Sequence, residues 1–224
     1  MTSDTKDFFK LNDIKEYIAQ FYDTDEKHYH TIHHINRMLA LHDHYQDYLY
    51  NAGVEYPAFT REDVGVEKAE DWYDGICCAI YFHDCVKLNY VEGSIKSSEE
   101  LSANEATKYL KEKGVSEDRI KFVEDLILST DNKNYNLDTV SKKYLHDLDW
   151  SCFSSMYDLK EAEDKVIQEY VDKGWLRKEV EDNRLNFYKS LYGEQVFQSV
   201  FSKYNWDAQR NIEGRINRFE SISF

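Results

Sequence analysis

A chain of 224 residues, 42% apolar and 15% aromatic, has the material for a real core, and it sets 43 acidic against 28 basic side chains for a formal charge of −15. A field of that sign repels polyphosphate at long range and so excludes duplex nucleic acid as the main partner, while a small nucleotide accompanied by a cation stays admissible. The polar start MTSDTKDFFK, a longest apolar run confined to residues 76–82 and four cysteines without a CxxC pair predict a cytoplasmic protein with reduced thiols, no leader and no membrane span.

One proline and eight glycines leave few helix breakers. Residues 5–22 place Phe8, Leu11, Ile14, Ile18 and Phe21 at steps of three and four, a helical face. A second helix starts near Tyr29 or Thr31 and runs to about Tyr50, with Ile32, Ile35, Met38, Leu39, Leu41, Tyr45 and Leu49 as its apolar set. A loop over 51–65 holds the proline, and a third helix over 67–86 turns wholly apolar at ICCAIYF, which predicts burial all round. After a loop at 88–97, helices are expected over 98–113, closed by Gly114, and over 117–129, opened by Ser116 as N-cap. Beyond the polar loop DNKNYNLD, the stretch HDLDW reads as the start of a helix that runs to Lys173 and ends at Gly174; further helices are expected over 177–192, 194–203 and 207–220. No strand-like alternation, repeat or linker occurs. The chain is therefore all-α, one helical domain over 1–224 with a motif-bearing core at about 26–155 and a helical extension over 156–224.

Residues 28–35, HYHTIHHI, hold four of the eight histidines. His34 lies beside Ile35, four residues before Met38 and seven before Leu41, so its ring stands on or next to the buried stripe. His83 follows Ile80 by three and Ile76 by seven and also faces inward, with Asp84 about 100° round the axis. A buried Asp requires a positive partner, and Lys87 or a metal would serve. In His146-Asp147-Leu148-Asp149-Trp150, helix capping accounts for one carboxylate but not for two.

Taken in order, YHTIHHI, AIYFHDCVKLN, SSEELSANEA, LILST and LHDLDWSCF resemble successive motifs of the HD phosphohydrolase superfamily, specifically its predicted metal-dependent branch, with fainter echoes at QEY (168–170) and AQRNI (208–212). The resemblance implies a compact HD-type helical bundle in which His34, His83, Asp84 and Asp149 hold one divalent metal, whether Mn, Fe, Mg, Ni or Zn. It further implies that Lys87 contacts phosphate, that Glu99 of the Glu99–Glu100 pair orients the attacking water, and that His30 touches the phosphate or orients a ligand; His28 and His33 are expected to face solvent. The implied reaction is hydrolysis of a phosphate ester or anhydride of a small molecule, a nucleotide by preference, by metal-activated water. A nucleotide-binding sensor without catalysis is the alternative. The oligomeric state stays open, a homodimer included.

The chain departs from the branch at Asp131, where a histidine is usual, at Ile167 and Lys27, where arginines are usual, and at Ser98 in place of asparagine. With His30, Glu99 and Asp147 as the remaining inward candidates, one tightly held ion is expected and any second one should be weak.

Overall fold

The computed structural model describes residues 11–22, 24–25, 27–51, 69–86, 97–131, 136–199 and 201–222. Among these, every regular element is a helix, so the protein is all-α as expected. The chain packs as two compact units: one of residues 1–23 and 32–145, the other of residues 24–31 and 146–224.

The first unit holds α1 (Leu11–Tyr22), α2 (Ile32–Asn51), α3 (Ala69–Phe82), α4 (Ser98–Glu112), α5 (Glu117–Leu128) and most of α6 (Val140–Asp149). Its core is α3, whose residues 76–80 and Phe82 are all at most 1% exposed, as the run ICCAIYF demands. The helix packs against α1, α2, α4 and α5. Polar tips in this interior find acceptors: Tyr22 Oη donates to Tyr81 O at 2.9 Å and Trp72 Nε1 to Ser141 Oγ at 2.8 Å. Helix α4 starts in a capping box, Ser97 Oγ accepting from Glu100 N while Glu100 Oε2 accepts from Ser97 N, and ends at Gly114, whose φ of +73° suits glycine. Ser116 stands at the N-cap of α5, although its side chain makes no capping bond.

The second unit holds a 3-10 turn (Trp150–Ser154), α7 (Met156–Asp172), α8 (Arg177–Leu191), a short 3-10 turn (Ser202–Tyr204) and α9 (Asn205–Ile222). Trp150, Phe153, Tyr188, Phe197 and Phe219 supply much of its core. Buried Glu163 of α7 pairs with Arg215 of α9, and Arg218 Nη1 lies 3.3 Å from the same carboxylate.

Two expectations fail. The stretch HDLDW closes α6 instead of opening the next helix, because Tyr144, Leu145 and Leu148 continue the buried stripe begun before them, and Ser155 caps α7 by accepting from Asp158 N. The described residues of 194–203 form no α-helix: Asp147 takes the N–H groups of Gln198 and Ser199, and Asn205 Oδ1 takes that of Phe197, so these donors are satisfied without a helical ladder.

Two tests follow from the first unit. A Cβ on Gly75 of α3 would stand 2.6 Å from Cε1 of Phe122 on α5. Gly75→Ala should cost ~1–3 kcal/mol in crowding, offset by about 1 kcal/mol of helix propensity. A urea midpoint equal to or above that of the wild type would show that α3 and α5 have room to spare. His42 is fully buried between Trp72, Tyr73 and Tyr144, and burial pushes its imidazole down to about 4, against weaker upward pulls from a backbone hydrogen bond at Tyr73 and from Asp43. The unfolded ring titrates near 6.5, so on acidification the unfolded chain takes up the proton first. This contribution is full above pH 6.5, falls as the pH drops toward 4 and amounts to a few kcal/mol, on the order of 1.4 per unit of separation. Unfolding free energies at several pH values should show that slope in the wild type and a flatter one in His42→Phe.

Candidate metal centre

The centre is built where α3 ends. Past Phe82 the chain turns, with His83 N still donating to Ala79 O at 2.9 Å and Cys85 N to Phe82 O at 3.0 Å. Carbonyls in the last turn of a helix need partners from outside its ladder, and His83 supplies one: its Nδ1 lies 2.9 Å from Ile80 O. The turn is stapled from behind by Ser102 of α4, fully buried, whose Oγ accepts from Val86 N at 3.1 Å and donates to Val86 O at 3.3 Å. The third serine of SSEELSANEA thus shapes the turn that carries the His-Asp pair.

His34 comes from the first turn of α2, its ring 5.4 Å from that of His83, and His34, His83 and Asp84 are 7%, 1% and 6% exposed. Asp149 is the last residue of α6, one continuous helix whose Tyr144 and Leu145 are buried to within 1%. One ligand atom from each of His34, His83, Asp84 and Asp149 lies within 4.8 Å of all the others. These are the four residues to which the motif resemblance gives the ligand role.

The donors fit a divalent cation. A carbonyl only accepts, so Nδ1 of His83 carries the hydrogen toward Ile80 O, and in the neutral ring Nε2 bears the lone pair. That nitrogen lies 3.0 Å from Asp84 Oδ2, which also only accepts when ionised. Two lone pairs at that distance repel unless the ring is an imidazolium or a cation lies between them. Ligands about 2.1 Å from one ion and at right angles are about 3 Å apart, and a backbone carbonyl on the far nitrogen is the usual orienter of a ligating histidine.

The other candidates fall elsewhere. His30 Nδ1 is 2.9 Å from Glu169 Oε1, and His28 Nε2 is 2.6 Å from Asp172 Oδ2, so His28 is half-buried and paired where a solvent-facing ring was expected. His33 is exposed, as expected. Glu99 stands half-exposed in the first turn of α4, outside the group of four, and its neighbour Glu100 is spent on the capping box. Asp147, fully buried, accepts from Gln198 N, Ser199 N and Ser199 Oγ at 2.8, 2.7 and 2.6 Å, and is a clamp within the second unit. Ile167 is 3% exposed, an apolar core position. Lys87 lies outside the described residues.

Sequence reasoning missed Glu169. It is 2% exposed, and burial pushes its carboxyl up, but His30, Lys173 and a backbone N–H outweigh this and hold it well below the usual carboxylate range. Its only sequence signal is the echo QEY. No family model, curated protein or solved structure matches the chain. No helix among the described residues is long and apolar enough to cross a membrane.

The clamp and the centre can be separated by experiment. Asp147→Ala strands three donors and should cost on the order of 3 kcal/mol of stability, while elemental analysis finds the same metal content as in the wild type. Lost metal with unchanged stability would instead make Asp147 a ligand.

Proposed function

We propose that the protein is an HD-type, metal-dependent phosphohydrolase that acts on a small phosphorylated molecule, a nucleotide by preference, in the cytoplasm and without a duplex or membrane partner. The observation that carries this reading is the convergence of His34, His83, Asp84 and Asp149 to within 4.8 Å, at the positions where five motifs in chain order resemble that superfamily.

The four residues would hold one divalent cation (Mn, Fe, Mg, Ni or Zn), and such an ion supplies an acidified water and polarises a phosphoryl oxygen. Two imidazoles and two carboxylates would leave open positions for water and for the substrate. Asp84 and Asp149 would offset the ion's charge, and Ile80 O, by taking Nδ1 of His83, would leave Nε2 as that ring's donor. In this reading Lys87 steadies the phosphate as a point charge and Glu99 orients the attacking water. Ser102, behind the turn, would help to keep His83 and Asp84 in place.

A second reading, a nucleotide-binding sensor, is favoured by Ile167: where the resembled branch carries an arginine, this chain has an apolar side chain that is 3% exposed. Turnover separates the two. Protein purified without chelator, loaded in turn with Mn, Mg, Ni and Zn, is offered nucleoside mono-, di- and triphosphates. Hydrolysis by the wild type is expected, and His83→Ala and Asp84→Ala should weaken metal binding by more than the roughly 10–100-fold typical of outer-shell changes. A wild type that binds no divalent ion under any loading condition sinks the phosphohydrolase reading. Binding of metal and nucleotide without turnover selects the sensor.

A further inference from the structure

Three helices of the first unit meet in a buried cluster that is separate from the metal group. The ring of His42 on α2 stacks on that of Tyr73 on α3 at 4.6 Å, and Trp72 of α3 and Tyr144 of α6 each stand 5.6 Å from it. Two hydrogen bonds tie the cluster together. His42 Nδ1 lies 3.0 Å from Tyr144 Oη, and Trp72 Nε1 donates to Ser141 Oγ of α6 at 2.8 Å. His42, Trp72, Ser141 and Tyr144 are at most 1% exposed. The same unit holds His34, in the first turn of α2, and His83 and Asp84, directly after α3.

Packing alone does not call for a histidine in this box. Its Nε2 is also buried and, beyond a weak pull from the backbone at Tyr73, makes no well-formed hydrogen bond. A buried polar atom without a good partner is destabilising, and phenylalanine would fill an aromatic box without that cost. What the imidazole adds is one directional bond from α2 to α6. Apolar contacts tolerate sliding, whereas a hydrogen bond weakens steeply outside a narrow range of distance and angle. Such stiffness matters at the far end of α2. His34 lies eight residues before His42, about 12 Å along the helix axis. A tilt of about 5° at the cluster moves a donor at that distance by about 1 Å, against a tolerance of about 0.2 Å in a metal–ligand distance.

We propose, resting on the metal-binding part of the reading above, that His42 and Tyr144 are positioning residues of the metal centre. Their hydrogen bond locks the tilt of α2 and so keeps His34 within reach of one ion with His83 and Asp84. Helix α6 serves as the reference, because Ser141 and Trp72 bond it to α3 independently. Neither positioning residue touches the ion; each acts through the helix that carries it.

The test strips the full-length protein of metal and dialyses it against Mn, Mg, Ni and Zn in turn, with the bound ion read by elemental analysis. Urea midpoints of the metal-free forms are measured alongside. His42→Phe keeps the aromatic packing and loses the bond. His42→Asn sets an amide where Nδ1 stands, so it keeps the bond and loses the packing. The asparagine variant should therefore have the lower urea midpoint with an affinity close to that of the wild type. His42→Phe should have the higher midpoint and bind each ion that the wild type takes up roughly tenfold more weakly, the low end of what changes behind a metal ligand produce. Tyr144→Phe removes only the hydroxyl, should lose the same factor, and carries the test if His42→Asn does not fold. Affinities that follow the urea midpoints across the variants overturn the proposal and leave the cluster as core packing. An unchanged affinity in His42→Phe or Tyr144→Phe overturns it as well. A wild type that binds none of the four ions overturns the phosphohydrolase reading and the proposal with it, an outcome distinct from a wild type and variants that bind alike.

Discussion

Carboxylates withdrawn from water are the constraint on which the rest of this structure depends. Asp84, Asp147, Glu163 and Glu169 are at most 6% exposed, and an uncompensated buried carboxylate costs several kcal/mol. In a chain of charge −15 the overall field gives no relief, so each site needs a local solution. Asp147 takes backbone N–H groups and a hydroxyl, Glu163 takes two guanidinium groups, and Glu169 takes three N–H groups, an imidazole and a lysine. Asp84 sits against His83 in a group whose donors converge as a cation would require. The first three solutions hold chain segments in place, and the fourth is the one whose donors could hold a metal ion.

The helices were legible because their apolar residues recur at three and four, a pattern that local sequence carries whole. The buried positions of His34 and His83 were legible for the same reason, since each could be placed on a buried stripe before any contact was known, while the ligand role came from the motif resemblance alone. The structure departs where a side chain reaches a distant backbone. Residues 194–203 have helical spacing, yet Asp147, some fifty positions earlier, claims their N–H groups. Glu169 has the complementary history: nothing about one glutamate on a helix distinguishes a solvated face from the floor of an N–H nest 140 residues from its partners.

Helix α7 shows how the two kinds of information combine. Glu163 and Glu169 are six residues apart, nearly two turns, and both are buried on a helix whose exposed positions are also rich in charge. Composition alone would assign all of these acids to solvent. Burial separates them: Glu163 meets α9, and Glu169 meets the segment that leads into α2.

The histidines follow one further rule. In His30, His42, His83 and His146 it is Nδ1 that is committed, to Glu169, Tyr144 Oη, Ile80 O and Asp147 respectively. His28, by contrast, uses Nε2 on Asp172 at the surface. Nδ1 lies nearer the backbone, so fixing it fixes the ring and sends Nε2 outward from the element that carries it. What Nε2 can then do is set by the partner of Nδ1. A carbonyl stabilises a neutral ring with a lone pair on Nε2, which suits a metal ligand, as at His83. A carboxylate, as at His30, holds the ring against the helix that carries it. A hydroxyl inside an aromatic box stabilises no charge, and burial keeps His42 neutral well below neutral pH. The cluster HYHTIHH thus divides by partner: two rings bound to the carboxylates of α7, one ring exposed, and one donor facing the metal group.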